Sequence, residues 1–371
     1  MSTKDKGTTN CTVPELVSGS FLAALLLSIV GLGVVRAADK SGSPLDNLPP
    51  HIRQLTHFGQ RADWSHDGKR ILFIEKTFGD VYEVEVATGI IRPVTHHYFH
   101  EGYTRALYLT NGDILLSGSR TFDAEDPWPS RGATAELWVL DKSLKKKPVP
   151  LGTFCSEGPA VSRTKMRIAW TIDHENYPDK LPEHVSQIWV GDIRYEDGVP
   201  RLVNRKMVLD TRRIPFYCDL ETQNFRPPDE KEIIFSCYGY HGGEVMGLDL
   251  ETGRVRNYSR GLMSYEEPEG IFPDGMYTTV ERVPDAPDAF EGQPKLDIWK
   301  LKLDRRLGPR ERPTWQRLTY FSEYPGWRAT NPVVSDDGRY MAFQLARADE
   351  AAGMGHGIFI YDFGKAPKGQ Q

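Results

Sequence analysis

The chain has 371 residues, 39% hydrophobic and 26% charged, with 34 glycines and a net charge of -5 at pH 7. That apolar share is ordinary for a globular protein and gives no ground for disorder. The acidic balance speaks against nucleic acid as a partner, because neutralising phosphates takes clustered lysine and arginine and the one dense basic run is Lys145-Lys146-Lys147.

Lys4 and Lys6 precede an uncharged apolar run, Phe21 to Val35, that ends in Val35-Arg36-Ala37-Ala38. A basic start, an apolar stretch shorter than the ~20 residues that span a bilayer, and small residues at its end read as an export signal over 1–37. The membrane is then touched only through this segment before cleavage, and the mature chain is periplasmic or secreted. Residues 38–50 are a polar Gly/Pro/Ser linker, and 364–371 a tail.

Between them, 51–363 is built of repeats. ADWSHDGKRILF (Ala62 to Phe73) returns as NPVVSDDGRYMAF (Asn331 to Phe343). Each is a strand, a turn and a strand, with Asp-Gly supplying the positive φ of the turn and β-branched and aromatic residues favouring a pleated backbone. Weaker copies start at Ala106, Ala160, Asn224 and Gly270, so that Ser65, Leu109, Ser162, Arg226, Phe272 and Ser335 align at steps of 44, 53, 64, 46 and 63 residues. A second strand pair follows each hairpin, as in VYEVEVA-TG-IIRPVTH. Six units of four antiparallel strands, at roughly 40–50 residues plus insertions, predict an all-β six-bladed propeller. After Ile358 to Phe363 the last unit lacks a fourth strand, whereas His51 to His57 resembles one; the N-terminal strand is expected to close the ring.

Strand parity puts the links between blades and between second and third strands on one face. The long insertions fall there: 121–134, 174–185, 284–294 and 349–357, carrying Trp128, Tyr177, Phe290, Met354 and His356. The approaches to the inner strands open on the same face and should line the central tunnel: Gln60-Arg61, Tyr103-Thr104-Arg105, Glu157-Gly158, Glu221-Thr222-Gln223-Asn224, Glu267-Pro268-Glu269 and Trp327-Arg328. Arginines fall on blades six, one and two, glutamates on three, four and five. One reading is a mouth with a basic and an acidic half that holds an anionic, hydroxyl-rich or zwitterionic ligand through Arg61, Arg105, Glu157, Glu221, Gln223, Glu269, Trp327 and Arg328, with Trp128 and Trp327 stacking on a sugar face. The other is that the charges pair across the tunnel and hold the ring.

His96, His97 and His100 are close enough to contribute to a metal site, although their spacing fixes no ligand set. Cys155 and Cys218 hold similar places before the inner strands of units three and four. A bridge between them, leaving Cys237 free, is one expectation, and three buried thiols the other. Gly-x-Ser-x-Gly, Walker and dinucleotide glycine patterns are absent from the sequence.

The Asp-Gly hairpins, followed by a strand ending in Asp and a Thr-Gly turn, resemble the TolB-like six-bladed propeller family over roughly 51–363. The resemblance implies a periplasmic or secreted propeller, of a kind that in the Tol system docks envelope proteins at its tunnel. More distantly, the chain is similar to oligogalacturonate-lyase-type propellers, which use a metal held by histidines and a glutamine; those ligands do not map onto His96, His97, His100 or Gln223. The expectation is an exported, monomeric ligand-binding or protein-interaction module without a cofactor, its partner an envelope protein or an acidic carbohydrate. The alternative is a carbohydrate-active enzyme, lyase or hydrolase, on uronate-containing oligosaccharides, and a divalent metal is expected only there.

Overall fold

A computed structural model describes residues 39–284, 295–308, 310–350 and 353–368. The expected export signal and Phe290 lie outside the described residues. Six four-stranded antiparallel sheets follow one another along the chain. Their innermost strands are Gln60–Trp64, Arg105–Tyr108, Ala160–Val161, Asp219–Phe225, Tyr265–Ile271 and Trp327–Val334, and each sheet is one blade.

The repeated Ser-x-Asp-Gly turn explains why the end hairpins are so alike. Ser65 Oγ donates to Asp67 Oδ1 at 2.6 Å and accepts from Arg70 N at 3.0 Å. Ser335 does the same with Asp337 and Tyr340, at the same distances. Gly68 and Gly338 take φ of 67° and 72°, which a side chain would strain.

Closure is as expected. Ile52–Gln54 adds antiparallel to Ile358–Asp362, with Ile52 opposite Tyr361 and Gln54 opposite Phe359, as the fourth strand of blade 6. The linker is less free than its composition suggests. Lys40 N donates to Glu323 O at 2.7 Å, Lys40 Nζ pairs with Glu323 at 2.9 Å, and Ser43 caps a 3-10 turn over Pro44–Asn47.

Apolar side chains gather between blades. Trp64, Ile71 and Phe73 of blade 1 pack on Ala342, Ile358 and Ile360 of blade 6, and comparable clusters fill the remaining junctions. At about 1.5–3 kcal/mol for each fully buried large side chain, these interfaces hold the ring.

The cysteine expectation is corrected. Cys218 is bridged to Cys237, and Cys155 is a buried free thiol. Cys218 immediately precedes the inner strand of blade 4 and Cys237 lies on that strand's hairpin partner, where Leu220 faces Cys237. Similar positions in neighbouring blades are separated by an interface, whereas two strands of one hairpin are already adjacent.

Candidate functional site

The inner strands do more than line the tunnel, because four of them carry a β-bulge near the mouth. Register slips between Gln60 and Asp63, Thr222 and Asn224, Pro268 and Gly270, and Thr330 and Val333. A bulge re-aims a side chain that regular alternation would send into a blade interface. Arg61 and Asn331, equivalent in the repeat, sit in two of these with φ of 53° and 48°. Gly158 holds the same place in blade 3 at φ 61°, and a Cβ there would stand 2.6 Å from Glu221 Oε1.

The mouth is a cavity of about 420 Å³. Arg61, Arg105 and Arg328 line it from one side; Glu157, Glu221, Glu267, Glu269 and Glu281 line it from the other. Arg131, Gly353 and Met354 reach it from the insertions 121–134 and 349–357, so these loops and the inner strands do share a face. Gln60 Nε2 holds the second loop through Gly353 O at 2.8 Å.

The charged halves do not stand apart. Arg61 Nη2 donates to Glu157 Oε1 at 3.0 Å, and Arg131 grips the same carboxylate through Nε at 3.1 Å and through Nη2. Arg105 reaches Glu221 at 3.7 Å and Glu269 at 3.8 Å. Arg328 differs: its Nη2 donates to Arg347 O at 2.6 Å, and no carboxylate among the described residues pairs with it. Three N–H groups on lining residues, Arg61 Nη1, Arg105 Nε and Arg328 Nε, are buried without an acceptor among the described residues.

Burial shapes the acids. Glu157, facing Arg131, Arg61 and Arg105, is held below the usual carboxylate range despite its burial. Burial together with neighbouring carboxylates pushes Glu221 up to about 8 and Glu267 up to about 7, and pushes Glu281 well above its ordinary value. Tyr238 donates to Glu221 Oε2 at 2.9 Å, Tyr265 donates to Glu267, and their rings stack with centroids 6.2 Å apart. Near neutrality the mouth therefore holds permanent guanidinium charge beside carboxyls that retain protons.

Gln223 lies deeper, beside a constriction shared with Arg105, Arg163 and Asp63, and donates to Glu267 Oε1 at 3.3 Å. Trp327 is not among the residues lining the cavity; its indole lies between Arg347, 4.8 Å from the ring, and His356. Trp128 is 55% exposed on the rim, over Arg131, beside an adjoining recess. The histidines lie in a different place. His100 Nε2 faces Asp80 Oδ1 at 3.0 Å and its Nδ1 accepts from Gly102 N, while His97 Nε2 faces Lys146 O at 3.3 Å. His100 lines a separate pocket with Trp138, so the histidines and Gln223 do not form one ligand set.

Sequence reasoning passed over Arg131, Tyr238, Tyr265, Glu281 and Asn331. Glu281 could have been found: it stands directly opposite Glu267 in the inner hairpin of blade 5.

No protein-family profile matches the sequence, and no curated protein does. Among solved structures, the chain is similar to an oligogalacturonate lyase in complex with manganese (14% identity, TM-score 0.48, covering 85% of this chain and 80% of that one). It is also similar to an oligogalacturonate lyase from Vibrio parahaemolyticus (12%, 0.45, 86% and 94%). TolB from Acinetobacter baumannii is a third (12%, 0.40, 79% and 67%). Both propeller groups that the repeats resemble are thus among its structural neighbours. At these identities nothing about ligand or activity passes to this chain.

Proposed function

We propose that the protein is an exported binding module whose tunnel mouth takes a small anionic, hydroxyl-rich ligand of the uronate-sugar class. The observation that carries the reading is the set of buried N–H groups on Arg61, Arg105 and Arg328 that lack an acceptor among the described residues around a concave cavity of about 420 Å³. A carboxylate would satisfy them, and a guanidinium holds it more strongly in a partly dry funnel than at an open surface. Protonated Glu221 and Glu267 and the two tyrosines add hydroxyl-directed hydrogen bonds. A concave polar mouth also fits a small ligand better than it fits a protein partner, for which a broad apolar rim is the better match. Export is supported by the apolar run before the propeller and by the Cys218–Cys237 bridge, which persists in an oxidising compartment.

A second reading, a lyase or hydrolase on the same sugars, is favoured by one observation. Glu221 and Glu267 are raised to about 8 and about 7, values suited to proton transfer near neutrality.

Calorimetry against acidic and neutral oligosaccharides tests the binding reading. Wild type should bind the acidic ones, and Arg328→Gln should weaken them about tenfold, the loss of one charge-assisted contact. Absence of binding at millimolar sugar sinks this reading and leaves docking of an envelope protein. Turnover of the same panel that disappears in Glu267→Gln decides for the enzyme.

A further inference from the structure

Beside the mouth, at the junction of blades 4 and 5, two carboxylates are enclosed completely. Glu244, on the strand Gly243–Asp249, and Glu266, on the strand Tyr265–Ile271, are each 0% exposed. One oxygen of each is accounted for. Glu244 Oε2 accepts from Gly261 N at 3.1 Å and from Ser259 Oγ, and Glu266 Oε1 accepts from Arg282 Nε at 2.8 Å. The other oxygens, Glu244 Oε1 and Glu266 Oε2, have no hydrogen-bond partner among the described residues, and neither does the buried Ser264 Oγ. They gather at Gly261, whose N–H holds Glu244 Oε2 and whose missing side chain lets the others approach: a Cβ there would stand 2.2 Å from Ser264 Oγ and 2.7 Å from Glu266 Oε2. A buried carboxylate oxygen without a donor costs a large desolvation penalty, and the negative charge of Glu266 acts unfavourably on Glu244 as well. A cation removes both costs at once.

We propose that Glu244, Glu266 and Ser264 form a binding site for a hard, oxygen-seeking cation of the calcium class. The donors are all oxygen, with no sulfur or imidazole that would select a softer metal. Arg282 offsets part of the paired charge, so the site takes one cation. Its place one residue from Glu267 means that an occupied site fixes the start of the blade 5 inner strand and the wall of the mouth. The inference stands on these oxygens alone and does not depend on what the tunnel binds.

The test uses the full mature chain stripped with EDTA, at about pH 8, where Glu244, raised by burial to about 7, is ionised. Calcium chloride should titrate with a stoichiometry of one and raise the Tm by about 3 °C at a hundredfold excess over the dissociation constant. Glu244→Gln should abolish both effects. Gly261→Ala, whose methyl group would displace Ser264 Oγ and Glu266 Oε2 but leave both carboxylates present, should do the same while the apo protein stays folded by circular dichroism. If calcium, magnesium and sodium give neither binding heat nor a Tm shift, or if both variants bind calcium like wild type, the site is overturned, and a shared proton or a water holds the carboxyls together.

Discussion

Glu267 and Glu281 occupy opposed positions on neighbouring strands, an arrangement that is destabilising when both are ionised. The fold tolerates it by keeping protons on. Burial raises Glu267 to about 7 and Glu221 to about 8 from an ordinary 4.5. A carboxyl whose pKa is higher in the folded than in the unfolded chain contributes fully below the unfolded value, and that contribution is lost as pH climbs through the folded one. Glu157 has the opposite sign, and its contribution fades only in acid below that window. Tm should therefore fall as pH rises from about 6 to about 9, and Glu267→Gln should flatten the fall and be the more stable protein at the alkaline end. Melting curves across that range check it; a wild-type Tm that rises with pH would contradict the burial argument. The same protons bear on binding, since ionised Glu221 and Glu267 would compete with an anionic ligand for the arginines.

At the scale of strands and turns, the sequence was most informative where chemistry is local. Ser-x-Asp-Gly turns and alternating apolar runs give the same reading wherever they stand, so the six hairpins and the closing strand were legible. What was not legible depends on geometry between strands. Cys218 and Cys237 meet because their strands pair, and Arg61 and Asn331, which the repeat alignment makes equivalent, reach the mouth because each lies in a bulge. Two measurements follow at this scale. Peptide mapping of the protein purified without reductant should recover Cys218 linked to Cys237 with Cys155 reduced, and replacing both half-cystines by Ser should cost about 3 kcal/mol on the loop-closure argument for a short loop. Deleting residues 39–57 should remove Ile52 from the blade 6 core, expose an unpaired strand edge and cause aggregation on warming. A soluble truncation with an unchanged Tm would mean that the blade does not need its fourth strand.

Across the whole molecule, the ion pairs connect blades that are not neighbours in the ring. Arg61 of blade 1 meets Glu157 at the entry to blade 3, and Arg105 of blade 2 meets Glu221 of blade 4 and Glu269 of blade 5. At the far end of the inner strands, Arg163 of blade 3 donates to Asp63 of blade 1 at 3.2 Å and approaches Asp336 of blade 6 at 3.6 Å. The pairing expectation for the tunnel charges therefore holds for Arg61 and Arg105, whereas Arg328 is the residue on which the proposed ligand reading rests. Arg105 is a brace between opposite sides of the ring with one N–H to spare, whereas Arg328 is half-buried with no carboxylate among the described residues in ion-pair contact, and that partial burial lowers its pKa. Removing one member of a buried pair leaves the other charge uncompensated and costs about 3 kcal/mol or more. Arg105→Met should thus lower the Tm by about 5 °C or more, with Glu269, which Arg105 holds down, taking up a proton in compensation. Arg328→Met breaks no ion pair among the described residues, so its Tm should stay within about 2 °C of wild type or rise, while acidic-sugar affinity falls about tenfold. Paired melting and calorimetry on the two variants separate bracing from binding. Should both lower the Tm equally and neither change affinity, the charges at the mouth serve only to hold the ring, and the ligand reading fails with them.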